Sequence, residues 1–371
     1  MTQGLIGELE TPCLVIDLKK TERNIRMMQE AVGAAGCLLR PHIKTHKMSR
    51  FARMQIEAGA NGITCAKVSE AEVMADGGIR DIFIAYPMVG EFRIRRAMAL
   101  LNRVDRLIVA VDSVEGAAML QRCAQEAGKR VEVRLEIDTG AKRTGVKQNR
   151  LLETARYISE QPNLQMTGIY TFKGLTLNGE PTMDHAAAAE EEGLLMQKAV
   201  RLMKREGIPV REISAGSTPT GIEVAQTGCV TEVRPGTYIF KDYMLTLEGA
   251  AKPEEIAVRY FVTVVSTPCP EYAVIDGGTK TFPMDVSLNV PPCYYPGYAI
   301  VEGRPELRLC RMNEEHGILT SETGDTGLRP GQKLCLIPIH VCTAINMQNE
   351  VYIDCGDHIE KERVEARGML V

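Results

Sequence analysis

From about residue 13 to residue 220 the chain alternates short apolar, β-branched runs with stretches of helical period, and this alternation limits the folds open to it more than any other feature. The runs fall at Cys13–Ile16, Cys37–Lys44, Asn61–Ala66, Asp81–Tyr86, Arg106–Val111, Val131–Ile137, Met166–Phe172 and Glu212–Ser217. Between them, Ile25, Met28 and Val32 keep to one face of a helix over Thr21–Ala35 that weakens at Gly33 and Gly36. A second helix runs from about Asp184 to Arg205 and stops at Gly207. Eight strands, each followed by a helix or a connection, predict an α/β fold of the (β/α)8 TIM-barrel type in preference to an open doubly wound sheet.

After about Met244 the texture changes. Runs at Ala257–Ser266, Tyr272–Asp276, Leu307–Met312, Lys333–Ile339 and Val351–Asp354 are punctuated by Pro and Gly, so the chain is expected to divide into a barrel over 1–245 and an all-β domain over 246–371. With 44 Lys+Arg against 48 Asp+Glu there is no general attraction to nucleic acid or an anionic membrane surface. No apolar run has the length of a spanning helix, and Met1 to Thr11 lacks the pattern of a secretory signal, so a cytoplasmic protein is expected. The 11 cysteines are scattered and include no CxxC pair, which argues against a disulfide framework and assigns most of them to small buried apolar positions.

In a barrel of this type the carboxyl ends of the strands carry the active site. The second run ends Arg40-Pro41-His42-Ile43-Lys44-Thr45-His46-Lys47, either a solvated basic loop or the end of a buried strand with Lys44 at the barrel mouth. There a lysine loses solvation, its pKa falls, and the neutral amine can form a Schiff base with an aldehyde. If that aldehyde is pyridoxal phosphate, a phosphate cradle of small residues is needed on the same face. Ser214-Ala215-Gly216-Ser217-Thr218-Pro219-Thr220 and Arg234-Pro235-Gly236-Thr237-Tyr238 qualify together, although each alone reads as a turn. Arg143 follows the Val131–Ile137 run and would set a permanent charge at the mouth, and Phe172 ends the next run, as core or as a shelf for a flat ring. In the β-rich part, His340 and Cys342 stand two apart, either an unrelated pair of core residues or, on a strand, an imidazole and a thiolate on one face within reach of one divalent ion, zinc or another borderline metal. Glu314-Glu315-His316-Gly317 is either a further metal partner or a hairpin turn.

Taken in order, TPCLVIDL (11–18), RPHIKTHK (40–47), EIDTGAKRTGV (136–146), SAGSTPT (214–220), EVRPGTYIFKD (232–242), DGGTK (276–280), EEHG (314–317) and PIHVC (338–342) resemble the D-threonine aldolase / D-serine dehydratase family over nearly the whole chain. The resemblance implies fold-type III: an alanine racemase-like barrel carrying pyridoxal phosphate, then a β-domain, in a homodimer whose β-domain covers the partner's barrel mouth. It also implies a role for each matching residue. Lys44 is the Schiff-base lysine and proton carrier, Arg143 holds the cofactor's phenolic oxygen, and Arg234 corresponds to the residue near the pyridine nitrogen in the racemases. Ser217, Thr218, Gly236 and Thr237 hold the phosphate with Tyr238 beside them, Phe172 packs on the ring, and His340 and Cys342 hold zinc or manganese. The chain departs from the pattern at Phe172 and Leu175, where many relatives carry Tyr and His. The implied activity is metal-dependent retro-aldol cleavage of a β-hydroxy-D-amino acid to glycine and an aldehyde. Dehydration of D-serine or 3-hydroxyaspartate to an oxo acid and ammonia is the alternative. Racemisation needs no metal and stands third.

Overall fold

The computed structural model describes residues 7–371; the first six, part of the Met1–Thr11 stretch read above, lie outside the described residues. The chain divides into two compact units, one of Arg26–Lys44, Met48–Gly236 and Met369–Val371, the other of the chain up to Ile25, Thr45–Lys47 and Thr237–Gly368.

Strand β1 (Cys13–Asp17) leaves the expected count of eight barrel strands intact but corrects their assignment. It is fully buried, as its apolar sequence requires, but it pairs in the second unit's sheet and not in the barrel. The barrel strands of the first unit are β2 (Leu38–Leu39), β3 (Ile63–Cys65), β4 (Asp81–Pro87), β5 (Arg106–Val111), β6 (Val131–Glu136) and β7 (Leu164–Tyr170). After the small hairpin of β8 (Thr176–Leu177) and β9 (Glu180–Pro181) come β10 (Glu212–Ala215) and β11 (Glu232–Val233). All eight barrel strands run parallel in the order β2-β11-β10-β7-β6-β5-β4-β3. The ends of the row join where His42 bridges Thr64, whose N–H donates to the Pro41 carbonyl at 2.8 Å, so the sheet closes. β11 therefore takes the place that the sequence reading gave to β1.

The helices hold to their end signals. His185–Arg205 starts where the Asp184 carboxylate accepts the Ala187 N–H at 3.0 Å and is followed by Gly207 at φ 73°. Its inward face is Ala188, Ala189, Glu192, Met196, Ala199 and Met203, apolar except at one position.

The barrel interior is not purely aliphatic. The Glu232 carboxylate accepts from Arg40 Nε at 2.7 Å and Arg134 Nη1 at 2.5 Å, and Arg134 reaches on to Glu212 at 3.0 Å. Burial opposes ionisation of Glu232, but Arg134 and Arg40 outweigh it and hold the carboxyl well below the usual range. A charge cluster of this kind is tolerated in a core because each ion has a partner.

In the second unit, β12 (Val258–Cys269), β13 (Tyr272–Ile275), β14 (Ala299–Val301), β15 (Arg304–Met312), β16 (Gly317–Ser321) and β17 (Lys333–Pro338) form a closed antiparallel barrel, because β12 pairs with both β13 and β17. β1 lies along β12, followed by β18 (Glu350–Asp354) and the edge strand β19 (Ile359–Arg363). Of the cysteines only Cys13, Cys37, Cys65 and Cys123 are buried; the other seven are half-buried, so the expectation of mostly buried cysteines fails. Among the described residues, no helix is long and apolar enough to cross a membrane.

Candidate active site

The Lys44 segment leaves the barrel wall sooner than its apolar residues suggest. Pro41 cannot donate to a ladder, so β2 ends at Leu39 and Lys44 sits in a 3₁₀ turn over Ile43–Thr45, not on a strand. Ile43 anchors the turn in the core, and the His42 ring accepts the Lys44 N–H through Nδ1 at 3.2 Å. The half-buried Lys44 ammonium stands 5.5 Å from the centroid of the Phe172 ring, and the Arg143 guanidinium stands 4.7 Å from the same ring. An amine and a guanidinium thus converge on one aromatic ring, an arrangement that each cation favours by about 0.5–1 kcal/mol at partly exposed positions.

Next to them, β10 ends in Gly216 at φ 76°, where a Cβ would lie 3.1 Å from Gly221 Cα and 3.2 Å from Val233 Cγ1. Only glycine fits both the backbone and the space. The following Ser217 directs its N–H and hydroxyl to Thr220 Oγ1 at 3.3 and 3.0 Å, with Thr218 half-buried between them. Arg234 is fully enclosed: Nη1 donates to Ser214 Oγ at 2.8 Å, Nη2 to the Thr171 carbonyl at 2.5 Å, and its plane lies 5.1 Å from the Tyr170 ring. Gly236 is buried one residue beyond Pro235, whose carbonyl accepts the His42 N–H at 3.0 Å.

Sequence reasoning missed Glu192. Its Oε1 accepts the Gly216 N–H at 3.3 Å, while Oε2 is buried without a partner. Burial raises its pKa to about 7, against the pull of the Gly216 amide, Lys173 and Arg234. A lone acid on an otherwise apolar helix face was the available signal.

The second unit gathers the other predicted residues. β17 ends at Pro338, and His340 caps a helix over Val341–Met347, so Cys342 is helical and the expected strand geometry is corrected. The buried Asp242 carboxylate fixes this start by accepting the Val341 N–H at 3.0 Å. Imidazole and thiol still meet. His340 Nδ1 lies 2.7 Å from Asp285 Oδ2, which also accepts from the Thr343 hydroxyl at 2.6 Å, and Cys342 Sγ lies 3.1 Å from Thr45 Oγ1 and 3.4 Å from Thr237 Oγ1. Burial would lower the His340 pKa, but Cys342, Asp285 and Asp242 prevail and push it up to about 11. Thr237 and Tyr238 lie in a 3₁₀ turn of this unit, Tyr238 fully buried. The Glu314–His316 cluster is a turn between β15 and β16, closed by Asn313 N–H to the His316 carbonyl at 2.9 Å. Asp285, 55 residues before His340, is the partner no spacing pattern revealed.

The chain as a whole is similar to known proteins. The alanine racemase N-terminal domain model matches residues 16–244, and a serine dehydratase domain model matches residues 257–353. The chain is 32% identical to D-threo-3-hydroxyaspartate dehydratase of Delftia sp. (strain HT23), covering 92% of this chain and 93% of that one. The chain belongs to the D-threonine aldolase / D-serine dehydratase family. Another member, D-threonine aldolase of Arthrobacter sp., is 29% identical over 94% of this chain and 90% of its own. A solved D-threo-3-hydroxyaspartate dehydratase, a cysteine-to-alanine mutant in the metal-free form, superposes with a TM-score of 0.88 at 31% identity, covering 96% of this chain and 97% of that one. The family membership makes the chain an enzyme of the lyase class with the alanine racemase-like fold.

Proposed function

We propose that this enzyme is a pyridoxal phosphate- and divalent-metal-dependent lyase that cleaves a β-hydroxy-D-amino acid to glycine and an aldehyde. The observation that carries the reading is the His340 imidazole, held at Nδ1 by Asp285 at 2.7 Å and flanked by Cys342. A carboxylate on one ring nitrogen is the usual support of a metal-bound histidine, and an imidazole with a thiolate binds zinc, the softer match, more tightly than manganese. A racemase has no use for such a pair.

The donor set of the barrel unit fits pyridoxal phosphate: a primary amine at Lys44, a guanidinium and a flat ring at Arg143 and Phe172, and a glycine-hydroxyl turn at Gly216–Ser217. The cofactor, when bound, supplies an electron sink for the bond broken at the substrate α-carbon. Lys44 carries it, Arg143 holds its phenolic oxygen, and Phe172 packs on its ring. Ser217, Thr218, Gly236 and Thr237 hold its phosphate with Tyr238 alongside, and Arg234, fixed by Ser214 and Thr171, faces its pyridine nitrogen. The metal, when bound to His340 and Cys342, lowers the pKa of the substrate's β-hydroxyl. Asp285 keeps the His340 Nδ1 proton in place, so that Nε2 is the nitrogen left for the ion. We propose a cytoplasmic homodimer acting on a free D-amino acid, on the strength of the family resemblance.

Protein supplied with pyridoxal phosphate and zinc or manganese, incubated with D-threonine and D-serine, is expected to yield glycine and acetaldehyde from D-threonine. Oxo acid and ammonia without glycine would replace the aldolase by the dehydratase. The absence of both sets of products would refute the lyase reading.

A further inference from the structure

The end of the β18–β19 hairpin brings three different donor atoms together. The last strand pair is Asp354 with Ile359, and the Cys355 N–H donates to the His358 carbonyl at 3.0 Å, leaving Gly356 and Asp357 as a two-residue loop. Gly356 has φ 97°, and its N–H is tied to Asp354 Oδ1 at 2.9 Å. Residues directly opposite in a hairpin project to the same face, and so do residues two apart on a strand. The sequence Cys355-Gly356-Asp357-His358-Ile359-Glu360 therefore puts a thiol, an imidazole and a carboxylate on one face. One ligand atom from each lies within 4.8 Å of the others, and His358 Nε2 is 3.1 Å from Glu360 Oε1.

We propose that Cys355, His358 and Glu360 form a second metal site, for a zinc-class divalent ion, at this hairpin end. A sulfur, a nitrogen and an oxygen ligand select against calcium and magnesium, which take oxygen donors, and leave a fourth tetrahedral position for water. Asp357 Oδ1 lies 2.7 Å from His358 Nδ1, the same outer carboxylate that supports a metal-bound imidazole elsewhere. Binding releases the thiol proton and any imidazole proton to solvent and ties the edge strand β19 to β18. The site shares no residue with His340 and Cys342, so its failure leaves the proposed function untouched.

The test is the alkylation rate of Cys355 in the full-length holoprotein, with and without zinc, followed by mass spectrometry of a digest cut after Glu350, so that Cys342 is read on a separate peptide. At a zinc concentration about ten times the dissociation constant, the reactive fraction of Cys355 should fall about tenfold. In His358→Ala and in Glu360→Gln the protection should shrink to less than half of that in the parent, while lyase activity stays unchanged. Absence of protection in the parent, or protection undiminished in both variants, overturns the proposal and leaves His358 as an imidazolium held between Asp357 and Glu360.

Discussion

Glu192 is a fully buried acid with one oxygen bonded to Gly216 and the other unpartnered, and that imbalance makes it sensitive to pH. Its carboxyl titrates near 7 in the folded protein, whereas an unfolded glutamate titrates near ~4.3. The folded state holds the extra proton between these values. Its stabilising contribution is complete below the lower one and is lost as pH rises through the upper. Glu192→Gln, neutral throughout, should therefore gain stability relative to wild type as pH rises from about 4 to about 7, on the order of 1–3 kcal/mol by denaturant unfolding. A difference constant with pH contradicts the assignment. At this scale the sequence showed residues whose chemistry is local. Lys44 stands in a basic run beside a proline, and His340 and Cys342 are two apart. It did not show Glu192 or Asp285, because their partners Gly216 and His340 are distant in sequence and only the fold brings them close.

Among the elements, the longer strands and helices were legible and the shortest were not. β11 is two residues, too short for any period, and it lies inside a stretch whose Gly and Pro read as turn. β1 is buried throughout, and its four apolar residues look alike in a parallel barrel and in an antiparallel sheet; its partners Arg259 and Tyr260 decide between them. The helix over Val341–Met347 carries β-branched residues that favour a strand, and the Asp242 cap settles it as a helix. Arg40, just after β2, and Arg134 of β6 were invisible as a network because their shared acceptor, Glu232, lies on the strand that was missed. Removing that acceptor by Glu232→Ala leaves Arg40 with Asp81 and Arg134 with Glu212 as their remaining acid partners in the barrel core. The expected loss is about 3–5 kcal/mol of unfolding free energy, read from the denaturant midpoint. A loss below about 1 kcal/mol would show that the cluster is solvated or rearranges.

For the whole molecule, the change of texture near residue 245 announced a barrel and a β-rich part, and both are present. What composition could not announce is that the second unit recruits the chain before Ile25 and the short Thr45–Lys47 segment. Contacts between residues hundreds of positions apart leave no periodic trace. In the proposed function the Lys44 unit retains the cofactor and the His340–Cys342 pair retains the metal, so the two should be separable. The direct measurement is chelation of the cofactor-loaded protein, following both its visible absorbance and its turnover of D-threonine. The account predicts unchanged absorbance, lost turnover, and recovery when a divalent ion is returned. Full turnover by the metal-free protein would contradict it.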